Sequence, residues 1–589
     1  MFLKTGTIAF FSLGLCSWGS GLNCKSVPWP SILKQEQVTS SAGPVNVFPV
    51  SVVKGISSAF KNGSSTDSLV FQSVGDIYTL DYGEDVAGKP LFHITSVKGN
   101  PQIEVTYTEA FDSYGIGDLS PYIPGGAYKG FAFDPWQDQA AYYRNVKATL
   151  NSNNETLYSN FMTDQDVLIE YGVQTNDEYT CSDSGKRDRF AWLGDRIMSA
   201  RAVMITSGQV PANTLFSPLD VQGTLIRTAN VDTLVVDYNF DIMQIIYDYW
   251  MRSGNDTFLE EFWPQMVMTT SYAISRALDL GTQLFGEPFG SLGTSLSGEK
   301  GQALGPANTV PLILGLEHMA EMAEYLGDYA TAHMYKGQAQ LSRDAIETQL
   351  WNKTGGYYTA TLGGSGYDLM DIAQVLLAGI GTEERRERFV EKLDSLKVPA
   401  GYINGTRFFD TLGVVNPYYM SFLLEGLAIT NRTELAQELQ DATWAPMVRR
   451  DRNYTGGYWE YISTDATYAG LDLFSGISHF WGSYPTVFLM EYALGVRATK
   501  PGYQGFLFAP MPGFKTDWVQ GRVPTPSGLI LPAWGYNTEG KIVMEIEAPT
   551  GLYGTLVPPF DGEYWVDELQ GQTGKLTFTG GKKMVIFQK

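Results

Sequence analysis

The densest group of reactive side chains in this chain lies in residues 183–195, which read Asp-Ser-Gly-Lys-Arg-Asp-Arg-Phe-Ala-Trp-Leu-Gly-Asp. Three carboxylates, Asp183, Asp188 and Asp195, stand there beside two arginines and a tryptophan. Burying charges is costly unless each ion is paired and hydrogen-bonded, so a segment with a purely structural role seldom collects so many. The segment therefore indicates an acidic site that handles a polar ligand.

Two shorter groups follow later in the chain. Residues 456–461 read Gly-Gly-Tyr-Trp-Glu-Tyr and include Glu460, and residues 476–483 read Gly-Ile-Ser-His-Phe-Trp-Gly-Ser and include His479. Hydrolysis of a glycosidic bond needs one carboxylic acid to protonate the leaving oxygen and a second carboxylate as base or nucleophile, while aromatic rings hold the sugar. The first group and the group around Glu460 can supply these two carboxylates.

The elements that must position these groups are helices. Between the first and last groups, apolar segments with helical period recur roughly every 50 to 70 residues. They begin near Arg189, Asp237, Ala307, Asp368, Asn416 and Ile477. Most are followed by a turn that ends in an N-capping residue and then by a more polar helix. The turns are residues 253–256, 326–328, 381–382 and 430–433.

Six apolar helices, each paired with an amphipathic one, predict an (α/α)6 barrel over residues 181–500. An apolar helix needs neighbours on both sides, whereas its amphipathic partner can face water. A superhelical solenoid built from the same helix pairs is the alternative topology. Closure into a barrel would bring the loops before the first, fifth and sixth inner helices around one axis, and those loops hold the acidic groups.

Strand-like patterns flank the helices, so the fold is predicted to be mainly α with β. Residues 25–180 carry short apolar alternations between Gly, Asp and Asn turns, at residues 68–71, 77–80, 92–95 and 103–106. Residues 501–589 repeat this style at residues 541–544, 575–578 and 584–587. We expect an antiparallel β-sandwich on each side of the barrel.

Charge and the N-terminal residues bear on location and partners. The formal net charge of −22 would repel nucleic acids and anionic membranes, so neither is expected as a partner. Residues 1–24 have a basic start, a short apolar run and small residues at the end, which predicts a secretory signal and an extracellular protein. A signal anchor is the alternative, although the apolar run is short for a membrane span.

The sequence also bears on disulfides, cofactors and glycosylation. Cys24 and Cys181 can pair as a disulfide, or Cys24 is removed with the signal and Cys181 remains a buried apolar side chain. No metal or cofactor is expected, because no histidine pair has zinc-ligand spacing and no nucleotide-binding motif occurs. Seven Asn-X-Ser/Thr motifs are possible glycan acceptors, beginning at Asn62, Asn154, Asn255, Asn352, Asn404, Asn431 and Asn453.

The motif in residues 183–195 resembles the signature of the glycoside hydrolase family 78 α-L-rhamnosidases, especially the shorter fungal members. Further matches fall in the family's order and approximate spacing: Asp237-Tyr238, Tyr458-Trp459-Glu460, Ser478-His479-Phe480-Trp481, Pro485-Thr486 and Glu491-Tyr492-Ala493-Leu494-Gly495. Residues 523–528 resemble the family's entry into its C-terminal sandwich. The similarity covers roughly residues 60 to 550.

The resemblance implies a role for each matching residue. Asp188 would be the general acid and Glu460 the general base of an inverting reaction. Neighbours that bind the sugar would be Asp183, Arg187, Trp192, Asp195 and His479. Many bacterial members carry Arg-Asp-Glu-Arg, in which Glu is the acid, whereas Arg187-Asp188-Arg189 is one residue shorter and offers only Asp.

Three further residues are weaker candidates for binding the carbohydrate. Trp459 and Trp481 can stack on a sugar or pack between helices, and Asp237 can bind the ligand or only cap its helix. The sequence as a whole predicts a secreted exo-glycosidase that removes terminal α-L-rhamnose from plant glycosides or pectic oligosaccharides. The alternatives are a glycosidase of other sugar specificity on the same fold, an inactive carbohydrate-binding homologue and a polysaccharide lyase. The oligomeric state stays open.

Overall fold

A computed structural model of the chain describes residues 51–54, 79–81, 145–149, 156–161, 194–207, 238–286, 304–405, 412–449, 455–471, 475–513, 516–537, 539–566 and 569–587. The helices are α1 (Arg196–Ser207), α2 (Tyr238–Ser253), α3 (Asp256–Ala277), α4 (Pro306–Tyr325), α5 (Tyr329–Ala345), α6 (Leu369–Leu377), α7 (Glu383–Val390), α8 (Pro417–Ile429), α9 (Thr433–Thr443), α10 (Ala445–Val448) and α11 (Tyr484–Phe488). A π-helical turn, Leu489–Ala493, extends α11.

The strands before and between the helices are short. They are β1 (Ser51–Lys54), β2 (Thr79–Asp81), β3 (Asn145–Thr149), β4 (Thr156–Phe161), β5 (Leu278–Asp279), β6 (Leu284–Phe285), β7 (Trp351–Asn352), β8 (Tyr357–Tyr358), β9 (Lys397–Val398), β10 (Gly401–Tyr402), β11 (Val414–Val415) and β12 (Ile462–Ser463). Each pairs antiparallel with one other strand of this set. The predicted strand at residues 77–80 overlaps β2, while those at 68–71, 92–95 and 103–106 lie outside the described residues.

Buried and half-exposed helices alternate along the chain. Eight of the nine residues of α6 are buried, against two of the eight in α7. Eleven of the thirteen residues of α8 are buried, against three of the eleven in α9. The predicted pairing of an apolar helix with an amphipathic one is therefore confirmed for these pairs.

The buried helices contact one another in sequence. Helix α1 packs on α2, α2 on α4, α4 on α6, α6 on α8, α8 on α11, and α11 on α1. We call these six helices the inner ring. Helices α3, α5, α7 and α9 each contact the inner helix that precedes them. After α2, α4, α6 and α8, an outer helix thus returns the chain before the next inner helix begins.

Four of the six predicted inner-helix starts fall within one residue of a helix start: Asp237, Ala307, Asp368 and Asn416. The start near Ile477 is seven residues early, because a loop and the 3-10 turn Phe480–Gly482 precede α11. Residues around Arg189 lie outside the described part, and α1 begins at Arg196.

Side-chain caps explain where three of the outer helices begin. The side chains of Asn255, Asp328 and Thr382 accept from the backbone N–H three residues further on. The corresponding prediction for α9 is wrong. Its N-cap is Arg432 without a side-chain cap, because Asn431 takes a left-handed φ of 57° and Thr433 is already helical.

Asp371 joins the first turns of two inner helices. It is fully buried, its Oδ2 accepts from the backbone N of Asp368 at 3.0 Å, and its Oδ1 accepts from the backbone N of Ala307 at 3.2 Å. Asp368 in turn accepts from the backbone N of Asp371 at 3.1 Å. One carboxylate therefore satisfies N–H groups at the starts of α4 and α6 and fixes these two starts relative to each other.

The chain from Val496 onward forms one nine-stranded sheet. Its strands are β13 (Val496–Ala498), β14 (Gly505–Phe508), β15 (Trp518–Gln520), β16 (Val523–Thr525), β17 (Gly528–Tyr536), β18 (Ile542–Leu556), β19 (Tyr564–Val566), β20 (Leu569–Gln572) and β21 (Leu576–Phe587). The main strand order is β13-β14-β18-β21-β19-β20, with β17 pairing to β15, β16 and β18.

Two features of this sheet differ from the sequence-based expectation. The segments 575–578 and 584–587 belong to one long strand, β21, rather than to two. The expectation of purely antiparallel pairing is wrong for β14 and β18, which run parallel. Parallel neighbours need a crossover connection, and here β15, β16 and β17 provide it.

The sheet docks at the C-terminal ends of α2 and α11. Trp534 of β17 donates from Nε1 to the backbone O of Ala493 at 2.7 Å. Gly254, in the turn after α2, has a φ of 65°, and a Cβ on it would lie 3.1 Å from the Cα of Gly502. This close approach of two backbones requires glycine at Gly254.

Several predictions concern residues outside the described part, including the signal in residues 1–24 and the pairing of Cys24 with Cys181. No helix in the part that the structure describes combines the length and the apolar character needed to cross a membrane.

Asp371→Ala is expected to lower the free energy of unfolding by about 3 kcal/mol, because two buried N–H groups lose their acceptor. Thr382→Ala removes one cap from the exposed start of α7 and should cost about 1 kcal/mol. Urea unfolding of both variants measures the difference. Equal losses would contradict the joining role of Asp371.

Among the glycan acceptor motifs in the described residues, Asn431 is exposed, whereas the side chain of Asn404 is only 4% exposed. Expression through a glycosylating secretory pathway is therefore expected to modify Asn431 and to leave Asn404 unmodified, since a glycan cannot fit at a buried amide. Mass spectrometry of glycopeptides from the wild type and from Asn431→Gln tests this. A glycan on Asn404 in the folded protein would contradict it.

Candidate active site

The predicted site residues divide into two sets. Asp195, Trp459, Glu460, His479 and Trp481 lie in the described part of the chain. The others lie outside it: Asp183, Arg187, Asp188, Trp192 and Asp237. The first set comes together at the end of the inner ring where the inner helices begin.

Glu460 lies in a loop between α10 and α11 and is only 3% exposed. Its Oε2 accepts from the backbone N of Gly476, and its own backbone N donates to the O of Gly476, both at 2.7 Å. Trp481 donates from Nε1 to the backbone O of Glu460 at 3.0 Å. Both the backbone and the carboxylate of Glu460 are therefore held by the segment that leads into α11.

His479 connects this loop to the start of α1. Its backbone N donates to the O of Tyr458, and its Nε2 lies 3.9 Å from Oδ2 of Asp195. The imidazole and Asp195 are buried, and the ring centroid of His479 is 4.3 Å from that of Trp481. Asp195 directly precedes α1, so this contact joins the beginnings of α1 and α11.

A second pair of polar residues, missed by the sequence analysis, lies at the same end of the ring. Tyr418, in the first turn of α8, donates from its hydroxyl to Oδ2 of Asp241 at 3.4 Å, and Asp241 is in the first turn of α2. The Tyr418 ring is 5.5 Å from that of Trp481. Only one feature of the sequence hinted at Asp241: it lies four residues after Asp237, which was a candidate for binding the ligand.

The two tryptophans are buried by the protein itself. Trp459 is 1% exposed and its Nε1 donates to the hydroxyl of Thr455 at 3.2 Å, while Trp481 is 5% exposed and packs on His479. These contacts favour packing over sugar stacking for Trp459. The binding roles of both residues stay predictions.

This arrangement suits proton transfer and the binding of a ligand with many hydroxyl groups. Trp481 links Glu460 to the His479–Asp195 pair, because its Nε1 donates to the backbone O of Glu460 and its ring lies against the His479 imidazole. No group of three or more His, Cys, Asp or Glu side chains among the described residues could hold a metal ion. Carboxylates and an imidazole can carry out acid–base chemistry.

Deeper in the inner ring lies a cluster of charged side chains that the sequence did not predict. We call it the charge cluster; it consists of Arg201, Asp248, Arg252, Glu425 and Glu491. Burial alone would lower the pKa of Arg201, but the neighbouring carboxylates raise it well above its usual value. Burial opposes ionisation of Asp248 too, yet Arg201 and Arg252 hold its pKa below the usual value.

His318 of α4 borders the charge cluster. Its ring stacks on Tyr247 with centroids 4.2 Å apart, and its Nδ1 makes no hydrogen bond among the residues that the structure describes. Burial lowers the pKa of His318 to about 4, and the attraction of Asp248 only partly opposes this. The imidazole is therefore neutral in the folded protein at neutral pH.

Two family models match the chain. The model described as the bacterial α-L-rhamnosidase six-hairpin glycosidase domain matches residues 162–412, and that of the bacterial α-L-rhamnosidase C-terminal domain matches residues 495–571. An α-L-rhamnosidase of Alteromonas sp. (strain LOR) is 21% identical over 568 residues, covering 85% of this chain and 58% of the relative. The chain thus spans less than two thirds of that relative's length.

Solved structures share the fold. An α-L-rhamnosidase from Dictyoglumus thermophilum superposes with a TM-score of 0.54 at 15% identity, over 69% of this chain and 47% of the other. The GH78 family rhamnosidase of Bacillus sp. GL1 gives a TM-score of 0.53 at 20% identity, over 64% of this chain and 39% of the other. At these identities the likeness concerns the fold alone.

The lowered pKa of His318 makes stability depend on pH. The unfolded chain protonates this histidine below about pH 6.5 and the folded chain only below about pH 4, so stability falls as the pH falls through this window. The full difference is about 3 kcal/mol. His318→Phe keeps a ring against Tyr247 and should flatten the decline of the urea midpoint between pH 6.5 and 4. An unchanged decline would contradict the prediction.

Proposed function

Because the chain belongs to the glycoside hydrolase family 78 α-L-rhamnosidases, we propose that it hydrolyses terminal non-reducing α-L-rhamnose from plant glycosides or pectic oligosaccharides. The observation that carries this proposal is the meeting of Glu460, His479 and Asp195 at one end of the inner ring. Each of them stands at a position where the sequence resembles the family's motifs.

The fold that we infer is an (α/α)6 barrel with a β-sandwich on either side. The contact of α11 with α1 supports closure of the helices and speaks against an open solenoid. The nine-stranded sheet from Val496 onward supports the C-terminal flank. We further propose that the barrel covers residues 181–500, with sandwiches over residues 25–180 and 501–589.

The proposed reaction divides the work between two carboxyl groups. Asp188 protonates the glycosidic oxygen, and Glu460 removes a proton from the water that attacks the anomeric carbon from the opposite face. An inverting enzyme keeps its two carboxyl groups about 6.5 to 9.5 Å apart to leave room for that water. Glu460 suits the role of base, because the N–H of Gly476 stabilises an ionised carboxylate.

The neighbours bind the sugar. Asp195 and His479 are within reach of each other, and both can hydrogen-bond hydroxyl groups of the reacting ring. Asp183, Arg187 and Trp192 stand close to Asp188 in the sequence and complete the proposed subsite. The enzyme is proposed to be secreted, in line with the apolar segment in residues 1–24, and to need no cofactor.

Glu460→Gln and Asp188→Asn are each expected to lower kcat on an aryl α-L-rhamnoside about 10² to 10⁴-fold, because each removes a proton-transfer group. The matched control is Glu434→Gln, which changes an exposed glutamate of α9 and should leave the rate unchanged. Rates within a few-fold of the wild type for either site variant would refute the assigned roles.

A panel of aryl glycosides separates rhamnose from other sugars. Proton NMR of the freshly released sugar should show the inverted anomer first. Release of an unsaturated product that absorbs in the ultraviolet would instead identify a lyase. Binding of rhamnosides without turnover would identify an inactive carbohydrate-binding homologue.

A further inference from the structure

Arg201 of α1 binds side chains from three other elements of the inner ring. Its Nη1 donates to both carboxylate oxygens of Glu425 on α8, at 2.8 and 2.9 Å. Its Nη2 donates to Oε2 of Glu491, just after α11, at 3.1 Å, and its Nε lies 3.4 Å from Oδ2 of Asp248 on α2. One guanidinium therefore connects four of the six inner elements.

Arg201 matters most for how α1 lies against α11. At the rim, these two helices are joined through Asp195 and His479. Deeper in the ring, Arg201 binds Glu491, and its Cζ lies 5.5 Å from the ring centroid of Tyr484, the first residue of α11. The relative position of α1 and α11 is thus fixed at two depths.

Residues of the proposed active site adjoin the beginnings of these two helices, since Asp195 directly precedes α1 and His479 lies in the segment that leads into α11. The proposed acid, Asp188, precedes Asp195 by seven residues in the sequence. Glu460 is bound through Trp481 and Gly476 to the segment that leads into α11. Any shift of α1 against α11 therefore moves Asp195 relative to His479 and Glu460.

We propose that Arg201 is a positioning residue for the hydrolysis: it holds α1 against α11 and so sets the position of Asp195 relative to His479 and Glu460. This inference rests on the proposed function. Arg201 acts through the helices and does not itself touch the substrate. Misplacement of reacting groups by about 1 Å can cost on the order of 10²-fold in rate, so a small shift at Arg201 has a measurable effect.

Replacing Arg201 by lysine keeps the positive charge but removes the planar arrangement of N–H donors. Arginine presents five N–H donors in a planar fork, whereas lysine is a point charge on a flexible stem. Arg201→Lys preserves the net charge of the charge cluster, but an ammonium cannot bind Glu425 in bidentate fashion while also reaching Glu491 and Asp248.

Arg252 provides a matched control within the same cluster. It lies in the last turn of α2 and binds Asp248 through Nη1 at 2.8 Å and Glu491 through Nη2. Arg252→Lys makes the same chemical change with two of the same partners, but it leaves the attachment of α1 intact. A purely structural role of the cluster would affect both variants alike.

The experiment compares the wild type, Arg201→Lys and Arg252→Lys on an aryl α-L-rhamnoside, with thermal unfolding of each variant and assays about 20 °C below the lower midpoint. We expect kcat of Arg201→Lys to fall at least about 10-fold with KM within about 3-fold of the wild type, while Arg252→Lys keeps kcat within about 3-fold. Equal losses of kcat in the two variants, or none in either, would overturn the proposal.

Two further measurements keep the result decisive. Glu491→Gln keeps the shape of the Arg201 partner and should reproduce part of the kcat loss even if Arg201→Lys does not fold; an unchanged kcat in that variant would count against the proposal. Crystal structures of the wild type and of Arg201→Lys or Glu491→Gln report the separation of Asp195 from His479 without any assay. An unchanged separation refutes the positioning role, whereas a wild type that releases no rhamnose refutes the proposed function instead.

Discussion

Charged side chains inside a ring of helices need partners of opposite charge, because the ring excludes the water that would otherwise solvate them. The charge cluster meets this requirement with two arginines and three carboxylates from α1, α2, α8 and the turn after α11. Apolar side chains in the same interior can repack with modest shifts, whereas a bidentate ion pair holds only over a narrow range of distances. The cluster therefore limits the relative positions of these helices more strictly than apolar packing does.

Sequence patterns predicted the helical part of the fold well where the signals were local. The starts of α2, α4, α6 and α8 were placed within one residue. At α4, α6 and α8 a change to an apolar helical period coincides with Pro or an N-capping side chain. The caps at Asp328 and Thr382 were also local signals, while the cap predicted at the end of residues 253–256 lies one residue earlier, at Asn255. At α9 the predicted side-chain cap is absent. Asn431 adopts a left-handed backbone conformation after α8, so Arg432 becomes the N-cap residue.

Non-local interactions could not be predicted in this way. Arg201 and Glu491 are separated by 290 residues, and Tyr418 and Asp241 by 177, so neither pair has a local pattern. Taken one at a time, these four residues look like ordinary residues of a helix. The pattern of a single strand also does not reveal which strand it pairs with or in which direction. For this reason the parallel pairing of β14 with β18 was not predicted. For the candidate site, the residues alone indicated two carboxylates and a histidine. Their individual roles came from the resemblance to a family.

The two ends of the inner ring have different neighbours: the sheet packs on one end, and loops enter at the other. The positions of the polar groups follow from this difference. At the C-terminal ends of α2 and α11 the sheet covers the ring, through the contact of Gly254 with Gly502 and the hydrogen bond from Trp534 to Ala493. Charges near that end pair with one another, as the ion pairs of Arg201 and Arg252 with Asp248 and Glu491 show. At the opposite end the helix starts supply unpaired N–H groups, as the capping of α4 and α6 by one carboxylate illustrates. Loops at this end can place carboxylates next to the N–H groups of the helix starts. A site for a hydroxyl-rich ligand therefore fits at the beginning of the inner helices, and the ion pairs of the charge cluster lie deeper in the ring.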